Sequence, residues 1–147
     1  MHDVISFEKV SFRYPDEENW TLNDFSFAVQ KGSRVVLTGP SGCGKTTLLY
    51  LCNRLYPDNC DGILTGNIEL FGKDSRTFIA GEINHRIATV FQDPDAQFCM
   101  QTVEEELAFT LENLQVKREE MENRIKEVLA LTNLTDFRYS IIQQLSG

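Results

Sequence analysis

The chain has 147 residues, 41% of them hydrophobic, which fits one domain with a real core and excludes a disordered segment. Its formal net charge is -8, and its Lys and Arg residues are scattered with no basic run, which argues against a protein devoted to coating nucleic acid. No apolar run approaches the ~18 residues of a membrane span, and Cys43, Cys52, Cys60 and Cys99 form no CxxC pair, so a soluble chain with reduced thiols is expected.

Val4 to Tyr14 partly alternates apolar and polar residues before Pro15-Asp16 breaks the pattern, which predicts a strand ending in a turn. Leu22 to Val29 alternates again, with Phe25, Phe27 and Val29 on one face, and leads to a turn at Lys31-Gly32. Arg34-Val35-Val36-Leu37-Thr38 is short, β-branched and apolar, predicting a buried strand that ends at Gly39. From Thr46 to Leu55, the spacing of Leu48, Leu49, Leu51, Cys52 and Leu55 predicts a helix stopped by Pro57. Strand, glycine loop and helix thus follow in direct succession.

Asn67 to Gly72 predicts another short strand, and Arg86 to Phe91 a further apolar strand leading into Gln92-Asp93-Pro94. Thr102-Val103-Glu104-Glu105 has capping-box spacing, and Val103, Leu107, Leu111 and Leu114 then recur at helical intervals. A second helix follows with Met121, Ile125, Val128 and Leu129 on its buried side, and the charges of Lys117, Arg118, Glu119 and Glu120 read as a solvated face.

Gly39-Pro40-Ser41-Gly42-Cys43-Gly44-Lys45-Thr46 matches GxxxxGK[ST] at every fixed position, in the strand-to-helix context that gives the pattern meaning. Gly39, Gly42 and Gly44 let the backbone wrap a triphosphate, so that successive N–H groups and the helix N-terminus face its anionic oxygens. Lys45 is placed to reach the β- and γ-phosphates, and the Thr46 hydroxyl to ligate Mg2+, with Thr47 following as a further contact. The ligand this chemistry predicts is Mg-ATP. Cys43 either gains reactivity from a positive field or only fills a small position, and the second reading is preferred.

Four pieces in order, Phe12-Arg13-Tyr14-Pro15-Asp16, the glycine loop, Val90 to Phe98, and Leu145-Ser146-Gly147, resemble the ATP-binding-cassette (ABC) ATPases of membrane transporters. Phe91 to Leu114 looks more narrowly like the ATPase subunits of energy-coupling-factor transporters for vitamins and cobalt or nickel ions. The resemblance runs over essentially the whole chain. It implies an α/β fold, a P-loop NTPase with a RecA-like core: residues 1–38 and 60–75 as an antiparallel β subdomain, 39–59 and 76–98 as the P-loop core, and 99–147 as the start of an α-helical subdomain, breaking off in the LSGGQ signature.

By this resemblance Tyr14 stacks on adenine, while Gln92 touches Mg2+ and the attacking water and senses a transmembrane subunit. Lys45 and Gln92 are then the catalytic residues. Ser146 and Gly147 open a signature that closes over the γ-phosphate held by a second ATPase subunit, identical or different. Val90-Phe91-Gln92-Asp93 is not read as the Walker B strand, because Gln92 interrupts it and Pro94 stands where a catalytic glutamate belongs. The Walker B aspartate, that glutamate, the D-loop and the switch histidine are not found in these residues, so nucleotide binding without turnover is expected of them, and hydrolysis of a full-length dimer.

The expected partners are a transmembrane transporter subunit and a second ABC ATPase, with no nucleic acid, and the expected place is the cytoplasmic face of a membrane. A soluble ABC ATPase of DNA repair or translation is the rival, disfavoured by the acidic charge; a GTPase lacks its Asn-Lys-x-Asp string here. Exposed sheet edges, and stability that depends on association, are also expected.

Overall fold

The computed structural model describes residues 3–79 and 81–145. Two compact units emerge, Met1–Ala88 and Thr89–Gly147.

The first unit carries a four-stranded antiparallel sheet of order β2-β1-β3-β4. Its strands are β1 (Asp3–Arg13), β2 (Leu22–Gln30), β3 (Ile63–Leu70) and β4 (Lys73–Asp74). The alternation in β1 is only partial because the register shifts between Phe7 and Val10 against β2, and between Glu8 and Ser11 against β3. The irregularity keeps Phe7, Val10 and Phe12 all buried, where strict alternation would have turned Val10 to the other face. Lys9 takes a left-handed φ of 50° at this point, and its N–H donates to Ser26 Oγ at 2.9 Å.

Helix α1 (Lys45–Cys52) lays Leu48, Leu51 and Cys52 against Phe7, Val10, Phe12, Ile68 and Leu70 of the sheet. Each such side chain contributes roughly 1.5 to 3 kcal/mol by leaving water. Burial also pushes the Cys52 thiol up to about 12, so this cysteine is an inert core residue. The helix does not run to Pro57 as its apolar spacing predicts. It ends at Cys52, because Arg54 adopts a left-handed φ of 61°, and a short turn α2 (Leu55–Asp58) then contains Pro57.

Two predicted strands are absent. Residues 34–38 and 86–91 form no strand, and Val35, Val36 and Val90 are 52%, 85% and 82% exposed. β propensity acts through pairing and packing, and neither run is a member of the sheet of the described residues. The antiparallel sheet is therefore the sheet of the described residues, and the run expected as a strand beside the glycine loop has no regular secondary structure.

In the second unit α3 (Val103–Asn113) and α4 (Arg118–Leu131) pack through Val103, Leu107 and Leu111 against Ile125 and Leu129. Both halves of the predicted capping box form: Glu105 N–H donates to Thr102 Oγ1, and Thr102 N–H to Glu105 Oε2. On α4, Ile125 and Leu129 are buried as predicted and Met121 is half-buried, but Val128 is 40% exposed because it lies off the i, i+4 stripe these three define. No helix among the described residues is long and apolar enough to cross a membrane.

Arg138, in the segment after α4, reaches Glu104 of α3 and Glu122 of α4, each at 2.7 Å. Hydrogen bonds from its guanidinium hold the Glu104 carboxyl below its ordinary range and bring Glu122 down to about 2. A lowered carboxylate pKa stabilises the fold above the unfolded value of 4.5, and that contribution is lost as pH falls toward 2. Arg138→Met is therefore expected to lower the melting temperature at pH 7, with the gap to the wild type narrowing at pH 3. Thermal unfolding at the two pH values checks this, and a gap that stays constant would count against it.

Candidate nucleotide-binding site

The glycine loop runs directly into α1. Gly44, the N-cap residue, has a left-handed φ of 89°, and a Cβ there would lie 3.1 Å from both Leu22 Cδ2 and Thr21 O. Only glycine lets the loop lie this close to the start of β2. The N–H groups of Lys45, Thr46 and Thr47 form the first turn of the helix and have no acceptor within it, which places the positive end of the helix dipole at the loop.

The Lys45 ammonium donates to Gly39 O at 2.8 Å and Pro40 O at 2.6 Å and lies 3.6 Å from Cys43 Sγ. The side chain thus folds back along the loop and closes it. Ser41, Gly42, Cys43 and Thr46 are exposed. Consecutive helical positions point about 100° apart, so Thr46 faces outward while Thr47, 4% exposed, turns into the unit. There the Thr47 hydroxyl lies 3.0 Å from the Tyr14 hydroxyl.

Tyr14 is half-buried just beyond the end of β1. Its ring is edge-on to Phe12, with centroids 5.3 Å apart, and to Tyr56, 5.8 Å away. Tyr56 in turn stacks on Phe12 at 5.6 Å and meets Tyr50 edge-on. Burial, and then the adjacent Tyr14 hydroxyl, push the Tyr56 phenol above its ordinary value.

This donor set suits Mg-ATP. An ammonium, free helix N–H groups and an outward hydroxyl converge at a loop with no carboxylate between Gly39 and Thr47. Among the described residues no group of three His, Cys, Asp or Glu side chains stands ready to hold a metal ion. Mg2+ is commonly held by few protein oxygens together with phosphate oxygens, and the exposed Thr46 hydroxyl is one such oxygen.

Gln92 belongs to the second unit, where it is exposed. Phe91 N–H donates to Gln97 Oε1 at 3.0 Å, which closes the loop carrying Gln92. Glu106 Oε2 then accepts from the N–H groups of Cys99 and Met100 at 2.9 and 2.8 Å, anchoring the following segment to α3. The sequence reading missed Gln97 and Glu106 as loop clamps, and their only signal is a polar side chain several residues from a loop start. A cleft of about 630 Å³ in this unit is lined by Asp95, Phe98, Met100, Ile141 and neighbouring residues. Leu145 packs on the helical core, while Ser146 and Gly147 of the signature reading lie outside the described residues.

A glycine loop closed by its own lysine at the head of a helix defines a P-loop nucleotide-binding protein. The family model described as ABC transporter matches residues 22–147, and the chain belongs to that family, whose ATPases bind ATP with Mg2+. It is 46% identical to YkoD of Bacillus subtilis, provisionally named an HMP/thiamine import ATP-binding protein, over 99% of this chain and 27% of that protein. It is 41% identical to a Pyrococcus abyssi protein, provisionally named an ABC transporter ATP-binding protein, over 99% of this chain and 52% of that one. The chain thus spans between about a quarter and a half of these curated relatives. Among solved structures, cbiO1 from Clostridium perfringens, described as part of the ABC transporter complex cbiONQ, shares the fold with a TM-score of 0.82. That match has 22% identity and covers 99% of this chain and 57% of the other.

Proposed function

We propose that this chain is the nucleotide-binding portion of an importer ATPase of the energy-coupling-factor type. In the whole protein, Mg-ATP binding and hydrolysis drive uptake of a small solute such as a vitamin or a metal ion. The observation that carries the reading is the Lys45 ammonium folded over the Gly39 to Thr46 loop at the first turn of α1. The name of YkoD supports HMP or thiamine as cargo, and that of cbiO1 supports membership of an ABC transporter complex.

In this proposal Tyr14 offers a ring to adenine, and the loop from Gly39 through Pro40, Ser41, Gly42, Cys43 and Gly44 surrounds the phosphates with backbone N–H groups. Lys45 counters charge on the β- and γ-phosphates, and Thr46 ligates Mg2+, which when bound neutralises phosphate charge. Thr47 completes the first turn. The partners are a transmembrane subunit and a second ABC ATPase, at the cytoplasmic face of a membrane.

Titration of the intact protein with Mg-ATP, together with affinity purification from membranes, tests this. Saturable binding that needs Mg2+, and recovery of a transmembrane subunit, are expected. A protein that binds no nucleotide would sink the reading. Recovery without a membrane partner, and ATPase stimulated by nucleic acid, would favour the soluble DNA-repair or translation ATPase instead.

A further inference from the structure

Tyr14 packs its ring on Phe12 and Tyr56 and reaches the first turn of α1 with its hydroxyl. The hydroxyl lies 3.0 Å from Thr47 Oγ1. Thr47 is 4% exposed, so water is a poor substitute for this partner. Edge contacts to Phe12 and Tyr56 fix the Tyr14 ring, and Phe12 is itself fully buried in the central strand of the sheet. The hydroxyl is therefore a stationary post on the sheet, and it bonds to the turn of α1 that also carries Lys45 and Thr46.

We propose that Tyr14 is a positioning residue for the phosphate site: through Thr47 its hydroxyl sets the first turn of α1, so that base recognition and phosphate grip are coupled. This rests on the P-loop reading above and adds a role for Tyr14 that stacking does not supply. Stacking needs only a flat ring, which phenylalanine retains. Positioning needs the oxygen, and its loss is felt by a ligand that never touches the ring.

Magnesium tripolyphosphate is such a ligand. Tyr14→Phe is expected to weaken its binding about 3- to 10-fold, the range set by one neutral hydrogen bond, and to weaken Mg-ATP by the same factor. In a Thr47→Val background, Tyr14→Phe removes only the contact of its hydroxyl with Tyr56, so the two effects on tripolyphosphate affinity do not add. A bond that served stability alone would lower the melting temperature of Tyr14→Phe and leave both dissociation constants unchanged.

Isothermal titration of the intact wild type, Tyr14→Phe, Thr47→Val and the double variant, with both ligands, decides. Equal tripolyphosphate affinity in wild type and Tyr14→Phe overturns the inference, as does additivity of Tyr14→Phe and Thr47→Val. A wild type that binds neither ligand overturns the P-loop reading itself, and the inference with it.

Discussion

Replacing Lys45 with alanine is expected to weaken Mg-ATP binding by about 100-fold or more, the loss expected for two charge-assisted hydrogen bonds of roughly 1.5 to 3 kcal/mol each. The ammonium now bonds to Gly39 O and Pro40 O, which are exposed carbonyls that water can satisfy. Removing it therefore costs the fold little, and the melting temperature is expected to move by no more than a few degrees. Lys45→Arg is not expected to rescue binding, because a planar fork does not replace a compact point charge seated between two carbonyls of a tight loop. Titration with Mg-ATP beside a thermal melt separates the two readouts. A Lys45→Ala protein that binds within threefold of the wild type would show that the loop grips phosphate without its lysine.

The parts of this molecule that were legible in the sequence are those whose causes are local. The loop from Gly39 to Thr46 announces itself because one short stretch supplies every group it needs. The capping box of α3 and the Ile125 and Leu129 stripe of α4 are local as well, and both form. Alternation exposed β1, yet its register shift at Lys9 depends on Ser26 in the neighbouring strand, which no periodicity within β1 encodes.

What failed to show was non-local. The runs at 34–38 and 86–91 have the composition of buried strands, but composition states only what a segment would do beside a partner. The end of α1 depends on Arg54, whose guanidinium bonds to Phe78 O at 2.9 Å and to Asp58, contacts that reward a left-handed turn no helical spacing reveals. At the candidate site the same divide holds. Thr46 and Lys45 could be read from a motif, whereas the bond between Tyr14 and Thr47 joins residues 33 apart in the chain and needed the fold to become visible.

Phe12→Ala is expected to destabilise the first unit by about 3 to 5 kcal/mol, a large share of the roughly 5 to 15 kcal/mol that holds a domain together. Phe12 is fully buried, stacks on Tyr56, meets Tyr14 edge-on, and fills the space where a Cβ on Gly62 would stand 2.4 Å away. Its removal opens a cavity that the flanking strands of a paired sheet cannot easily close. Phe12→Leu retains apolar volume, so it is expected to cost less, about 1 to 2 kcal/mol, while still depriving Tyr14 of one of its two ring partners. Trp20 is the chain's single tryptophan and lies in the same unit, so its fluorescence reports urea unfolding of the part that holds Phe12. If Tyr14 is held for nucleotide by this aromatic cluster, Phe12→Leu loses more Mg-ATP affinity than its modest loss of stability accounts for, measured where the protein is still fully folded. Unchanged affinity in folded Phe12→Leu would mean that the cluster serves packing alone and that Tyr14 holds its place by the Thr47 bond.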